Sequence, residues 1–298
     1  MSATCTACHT GINNGTIDKP FVFQIANPGY DPTAGLTHTT LAGGSFYWVS
    51  QGFDLMGHNV VGVGATQVLG RQPPGDSTST TFDFLTCAGT NGCHGDLSVA
   101  SQVKAIWGGH HSPEESLSTD GSTLGRSYRL LLGISGVEDP NWEYSLAVGD
   151  HNQYFGNVRS GDDDLDTRTI SHLCAKCHGD FHSGAGLAGV SADASFVSPW
   201  IRHPVDFDMG DAAGSEYTFY GGSGSYNVTT PLASDNIVLG VLSTVTLGGV
   251  GDGSAIITCI TCHRAHGSPY DYSLRWDYKN WPGGALDGGC YDCHTVKI

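Results

Sequence analysis

Ten cysteines fall into five pairs, and the residue after the second cysteine of every pair is histidine. The pairs are Cys5/Cys8, Cys87/Cys93, Cys174/Cys177, Cys259/Cys262 and Cys290/Cys293, and the histidines are His9, His94, His178, His263 and His294. With 14 histidines in 298 residues, chance gives five such coincidences at odds below about one in a million. The pattern is that of c-type haem attachment, in which two thiols bond to the haem vinyl groups and the histidine binds the iron.

One pair departs from the two-residue spacing of the others. Five residues, Ala88 to Gly92, separate Cys87 from Cys93. Because this insert is rich in glycine and asparagine, it can loop out and leave the two sulfurs at the separation of the two vinyl groups. We therefore predict a haem at this pair as well. The alternatives are a single thioether with Cys87 left over, or a surface turn without haem.

Zinc and disulfides are the other common uses of paired cysteines. Cys259-x-x-Cys262 followed by Cys290-x-x-Cys293 has the spacing of a four-cysteine zinc knuckle. Zinc requires neither of the histidines that follow these pairs, and it does not explain the other three pairs. The strand–helix units that carry redox-active disulfides are not recognisable around any pair. Covalent haem accounts for all ten cysteines.

Nine histidines remain outside the motifs and can supply the second axial ligand of each iron: His38, His58, His110, His111, His151, His172, His182, His203 and His266. Only three methionines exist, so methionine cannot serve five irons. His266 shares a helical face with His263 and is expected to reach a neighbouring haem rather than its own. We select His58, His111, His151, His182, His203 and His266 as the second ligands. The count also permits one iron with an open position.

The composition predicts little regular structure. With 43 glycines, 12 prolines and 39% hydrophobic residues, the chain has little apolar side chain for an ordinary core of its size. We predict a single haem-packed domain, residues 1–298, with a mostly irregular, haem-templated multihaem cytochrome c fold, short helices and a few β-hairpins. Strand-like patterns span Phe21 to Ile25, Phe46 to Val49, Glu216 to Tyr220 and Ile237 to Leu247. Helix-like patterns span Ser98 to Trp107 and Arg126 to Leu132.

Charge and hydropathy exclude several partners. The chain has 29 acidic and 13 basic residues and a net charge of -16, whereas nucleic acids and anionic membranes bind basic surfaces. No apolar stretch approaches the roughly 20 residues of a membrane span. No basic and then apolar leader precedes Cys5, so we expect an exported protein whose numbering begins after signal-peptide removal.

An acidic segment is a weaker candidate for a second kind of site. Asp162, Asp163, Asp164 and Asp166 offer the hard oxygen ligands that calcium prefers. Runs of this kind are more often solvated loops. A solvated loop is therefore our preferred interpretation, and calcium is the alternative.

Several segments around the motifs resemble a known family. They are Cys259 to Ser268, Arg202 to Asp206, Cys174 to His182 and the long-gap site Cys87 to Gly95. These segments resemble the multihaem c-type cytochromes that polymerise into extracellular nanowires, the Omc type. The resemblance implies a secreted homopolymeric filament with a continuous haem chain. It also implies irons with two histidine ligands, one of them donated by the next subunit.

The preferred function is electron transfer through five bis-histidine haems. Because such a protein makes and breaks no bonds in a substrate, we do not expect an enzyme. The chain would exchange electrons with redox partners or extracellular acceptors. A soluble periplasmic electron shuttle shares every haem signal and is the first alternative. A multihaem oxyanion reductase needs one iron with an exchangeable position. Such enzymes often replace the motif histidine by lysine, whereas all five motifs here end in histidine.

Overall fold

The computed structural model describes residues 2–15, 19–30, 39–64, 84–110, 118–144, 151–159, 166–178, 205–212, 226–237, 253–280 and 289–293. The helices are α1 (Ser2–His9), α2 (Tyr47–Ser50), α3 (Gln102–Ala105), α4 (Ile170–Ala175), α5 (Cys259–Cys262) and α6 (Cys290–Cys293). The strands are β1 (Thr10–Gly11), β2 (Phe23–Gln24), β3 (Ser118–Thr119), β4 (Gly136–Val137), β5 (Gln153–Phe155), β6 (Phe207–Asp208), β7 (Ala233–Ser234) and β8 (Ile256–Ile257). The prediction of an irregular fold with short helices is confirmed. Within these ranges, no helix has the length and apolarity needed to cross a bilayer.

The strands form two small sheets. β1 and β2 pair in parallel, and the other six strands form one sheet in the order β3-β4-β5-β7-β8-β6. All neighbours in the larger sheet are antiparallel except β5 and β7. Because each strand has only two or three residues, the sheet mainly connects segments that are distant in sequence.

Buried apolar side chains form three clusters that border the haem motifs. The first includes Ile260, which lies between the two cysteines of α5. The second, around Met209 and Leu232, packs against Cys293. The third, around Phe46, packs against Cys87. Apolar clusters therefore lie beside the fourth, fifth and second motifs.

A backbone crossing joins the N-terminal and C-terminal parts of the chain. Gly267 forms bridges with both Gly44 and Gly57. A Cβ on Gly44 would stand 2.0 Å from the Gly267 carbonyl oxygen, and a Cβ on Gly57 would stand 2.4 Å from the His266 carbonyl oxygen. Only glycine allows three backbone segments to approach this closely.

The predicted elements have mixed outcomes. β2 lies inside the predicted strand 21–25, and α3 is a shorter helix inside the predicted segment 98–107. The strand predicted at 46–49 is wrong, because α2 occupies that position. The Ser45 hydroxyl oxygen accepts the Tyr47 N–H, and the helical turn that follows buries Trp48 and Val49. Tertiary packing here overrides the strand preference of aromatic and β-branched residues.

The helix predicted at 126–132 is also wrong. Two 3-10 turns, Leu124–Arg126 and Tyr128–Leu130, occupy this region. Arg129 and Leu130 have φ of 48° and 58°, so a right-handed helix cannot continue through them. The predicted strand 216–220, and all of 237–247 except Ile237, lie outside the described residues.

Candidate haem-binding sites

Short helical turns present the cysteines and histidines of the regularly spaced motifs. The His178 N–H donates to the Cys174 carbonyl at 2.9 Å, and the His263 N–H donates to the Cys259 carbonyl at 3.1 Å. The helix α5 begins with a capping box formed by Thr258 and Thr261, which satisfies N–H groups at the start of the turn. The first cysteine and the histidine are thus one helical turn apart in these motifs.

The long-gap motif reaches the same local arrangement. The His94 N–H donates to the Cys87 carbonyl at 3.0 Å, which is the bond made in the regular motifs. The insert folds back on itself through a bond of 2.8 Å from the Gly92 N–H to the Gly89 carbonyl, and Gly89 has φ of 79°. The extra residues therefore loop out while the ends of the motif keep their relation, as the haem prediction requires.

Backbone carbonyls orient three of the motif histidines. The Nδ1 atoms of His9, His94 and His263 donate to the carbonyls of Pro20, Arg129 and Tyr272, at 2.9, 2.9 and 2.7 Å. A proton held at Nδ1 leaves the Nε2 lone pair available for a metal. These three imidazoles are thus in the tautomer that a haem iron needs.

Two of the accepting carbonyls belong to residues in the left-handed region. Arg129, which accepts from His94, has φ of 48°, and Tyr272, which accepts from His263, has φ of 63°. In both sites the next residue is also left-handed, and its carbonyl accepts the N–H of the residue after the motif histidine at 2.7 Å. Each non-glycine residue in this region costs about 1 to 2 kcal/mol. The same arrangement of two left-handed residues therefore supports the motif histidine at both sites, although the sequences there are not recognisable repeats.

Three motif histidines face a second histidine. The ring centroids are 5.9 Å apart for His9 and His110, 6.3 Å for His94 and His266, and 6.2 Å for His178 and His58. Two imidazoles on opposite sides of one metal, each nitrogen about 2 Å from it, have centroids about 6 Å apart. The donor type and the spacing of these residues therefore fit a haem iron between the rings of each pair.

Two of the histidines that lie opposite a motif histidine, His58 and His266, were also selected from the sequence, and the surrounding chain sets their state. The His58 Nδ1 donates to the Ala265 carbonyl at 2.7 Å. Desolvation by the surrounding chain, followed by the facing His94, lowers the pKa of His266 to about 3. Desolvation also lowers the pKa of His94. A neutral imidazole is the form that binds a metal.

Cysteines of consecutive motifs lie next to one another. A hydrogen bond with Cys87 lowers the pKa of Cys5 to about 7, and a hydrogen bond with Cys259 raises the pKa of Cys174. Packing around Cys93 and then the nearby Cys177 raise its pKa to about 11. Desolvation and then the nearby Cys293 raise the pKa of Cys262 to about 12. These four interactions link each motif to the next one along the chain, so the motifs adjoin in sequence order. All ten cysteines are in the described ranges and none is disulfide-bonded.

The remaining selected histidines have different positions. His151 is buried, its Nδ1 donates to the Asn152 carbonyl, and its ring stacks on Tyr226 with centroids 3.8 Å apart. His111, His182, His203 and the motif histidine His294 lie outside the described residues.

The sequence-based selection missed His110, which the structure places opposite His9. Its N–H donates to the Ile106 carbonyl at 3.1 Å, in the turn that follows α3. The only sequence signal was the adjacent pair His110-His111. Nothing local distinguishes the two residues, because the choice depends on how the turn is oriented toward α1.

Sites for bare metal ions have less support. Of the acidic residues considered for calcium, only Asp166 is described, and its carboxylate pairs with Arg168 at 2.6 Å. In the part of the chain that is described, no three His, Cys, Asp or Glu residues are grouped to hold a metal ion. The four cysteines of the zinc alternative are all in that part.

Comparisons with known proteins agree with the motif assignment. Residues 250–298, which contain the last two motifs, match the doubled CXXCH motif family. None of the curated proteins matches the chain. Among solved structures, the Outer Membrane Cytochrome S filament from Geobacter sulfurreducens is similar over 93% of this chain and 75% of that chain. The sequence identity is 19% and the TM-score is 0.46.

Proposed function

We propose that this chain transfers electrons through five covalently attached haem c groups with histidine at both axial positions. The observation that carries the proposal is the facing of three motif histidines by three others at centroid separations of 5.9 to 6.3 Å. Each bound haem supplies a one-electron iron couple. Nδ1 hydrogen bonds hold His9, His94 and His58 in the ligating tautomer. Histidine at both axial positions of every iron would leave no position for a substrate, so the proposed function is not enzymatic.

The ring pairs assign three second ligands. We assign His110 to the iron of His9, His266 to the iron of His94, and His58 to the iron of His178, from the distances given above. His266 thus serves a haem other than that of its own motif, as the sequence predicts. The second ligands of the fourth and fifth irons come from the six other non-motif histidines, His38, His111, His151, His172, His182 and His203.

The proposed electron path follows the order of the motifs. Thiols of consecutive motifs are close enough to interact, from Cys5 and Cys87 to Cys262 and Cys293. Haems attached to adjoining cysteines would lie near one another, and a short separation between haems would favour electron transfer between them. The five haems would therefore form an unbranched chain from the first motif to the last.

We further propose an exported protein that assembles into a homopolymeric filament, with electrons passing between subunits. The support is the resemblance of the motif segments to filament-forming cytochromes. Exposure of Cys8 in the first motif is compatible with a terminal haem near the surface. The soluble shuttle differs only in its lack of assembly.

The haem content and spin state of the oxidised holoprotein test the function. We expect five haems per chain by pyridine haemochromogen assay and only low-spin signals by electron paramagnetic resonance. One high-spin haem in five that binds nitrite or sulfite would overturn the proposal in favour of a reductase. Negative-stain microscopy of the same sample separates filament from shuttle, because the shuttle shows only single particles.

A further inference from the structure

Two arginines are buried beside the fourth haem motif. Arg264 directly follows His263 and is 3% exposed, and Arg275 is 1% exposed. The Arg275 N–H donates to the Cys262 carbonyl at 2.9 Å, and its Nε donates to the Ile260 carbonyl at 2.6 Å. The Arg275 guanidinium is therefore fixed close to the helix α5, which holds the cysteines of this motif, and it interacts electrostatically with Arg264.

The buried charges in this cluster do not cancel. Glu143, which is 1% exposed, is the acidic side chain that interacts electrostatically with both arginines. Within the described ranges neither arginine forms an ion pair. Arg264 donates to the carbonyls of Leu41 and Ala42, whereas the buried Nη1 of Arg275 has no hydrogen-bond partner among the described residues. Two cations and one anion leave a net positive charge in a poorly screened interior.

Charged side chains at the second, third and fifth motifs are paired, exposed or negative. At the second motif, Arg129 pairs with Glu138 at 3.3 Å. At the third, Lys176 between the cysteines is exposed to solvent, which screens its charge. At the fifth, Asp292 places a carboxylate between the two cysteines. Among the described residues, Arg264 and Arg275 are the arginines buried as whole residues, and both lie beside the fourth motif.

We propose that Arg264 and Arg275 make the haem of Cys259, Cys262 and His263 the site of highest reduction potential in the chain. Reduction lowers the charge at the iron by one, so a fixed positive charge nearby stabilises the ferrous form. The first electron to enter the protein would then reside mainly at the fourth haem. This inference rests on the proposed electron-transfer function.

The test is a spectroelectrochemical titration of the full holoprotein and its variants. The haem of highest potential should account for one fifth of the absorbance change on reduction. We expect Arg275→Gln to lower the midpoint potential of this fifth, which we call the highest wave. The ferrous-to-ferric ratio at fixed potential should fall about tenfold, which is about 59 mV for a one-electron couple. Arg275→Lys, which keeps the charge, should restore most of the potential. Arg126→Gln removes a half-exposed charge elsewhere and should leave the highest wave unchanged.

A second variant changes the charge in the opposite direction. Glu143→Gln keeps an oxygen that can accept the Asn152 N–H, and it should raise the highest wave. If Arg275→Gln does not fold, this variant alone decides. The inference is overturned if Glu143→Gln leaves the highest wave unchanged or lowers it.

The titration also separates the two proposals. Fewer than five haems, or a high-spin haem in the unmodified protein, would contradict the proposed function. Five low-spin haems whose highest wave responds to neither buried-charge variant would contradict only the inference about Arg264 and Arg275.

Discussion

Replacing His110 by alanine tests the ligand assignment at the first motif, because its neighbour His111 provides a matched control. The ring of His110 faces that of His9 with centroids 5.9 Å apart, and among the described residues no other histidine ring contacts His9. Removing this ring should leave one iron in five without its second ligand. The other four irons keep theirs, because the remaining ring pairs involve different residues.

The expected spectral change is therefore one fifth of the total haem. In His110→Ala, one haem per chain should become high-spin in the ferric state and bind one carbon monoxide when reduced. Added imidazole should restore the low-spin spectrum, because it can occupy the vacated axial position. His111→Ala should leave the haem of His9 low-spin, and that haem should bind no carbon monoxide.

Two results would refute the reasoning. If His111→Ala produces the high-spin fifth and His110→Ala does not, the ligand is the histidine selected from the sequence. If both variants remain low-spin with full haem content, the spacing of His9 and His110 does not reflect an iron between them.

Three further changes have expected outcomes. Asp292→Ala removes the acceptor of hydroxyl, amide and backbone N–H donors at 2.7 to 3.1 Å and should lower the free energy of unfolding in urea by about 2 kcal/mol; an unchanged midpoint would contradict this. Gly43→Ala places a Cβ 2.9 Å from the His266 Nδ1 and should produce high-spin signal by electron paramagnetic resonance, whereas a fully low-spin spectrum would argue against ligation by His266. Hydrogen bonding to Arg168 lowers the pKa of Asp166, so this carboxylate stabilises the fold above its unfolded pKa and loses the effect as pH falls through its folded pKa. Asp166→Asn should therefore lower the urea midpoint at neutral pH and match the unmodified protein once the pH is below the folded pKa of Asp166.

The attachment residues could be predicted because their chemistry constrains local sequence. Two cysteines and a histidine must lie within one turn, and even the insert before Cys93 is readable because glycine and asparagine favour loops. The irregular fold also follows from composition. These features depend on residues close together in the chain.

The opposing histidines depend on tertiary structure and were only partly predictable. His266 is close to a motif, and its helical spacing indicates a neighbouring haem. His110 cannot be distinguished from His111 until the orientation of the turn toward α1 is known. The carbonyls that orient His94 and His263 belong to left-handed residues, a conformation that neither arginine nor tyrosine favours. No local pattern indicates such strain.

The crossing of Gly44, Gly57 and Gly267 bears on how the protein is made. His58 contacts Ala265 across 207 positions of sequence, so the first 60 residues complete their backbone pairing only after residue 268 has been synthesised. Contacts of such long range form slowly, because a large loop must close first. A chain that ends before residue 259 lacks this crossing, so we expect it to lose order at its beginning as well as its last two cofactors. The N-terminal motif and the C-terminal motifs are therefore expected to reach their final structure together rather than as separate units.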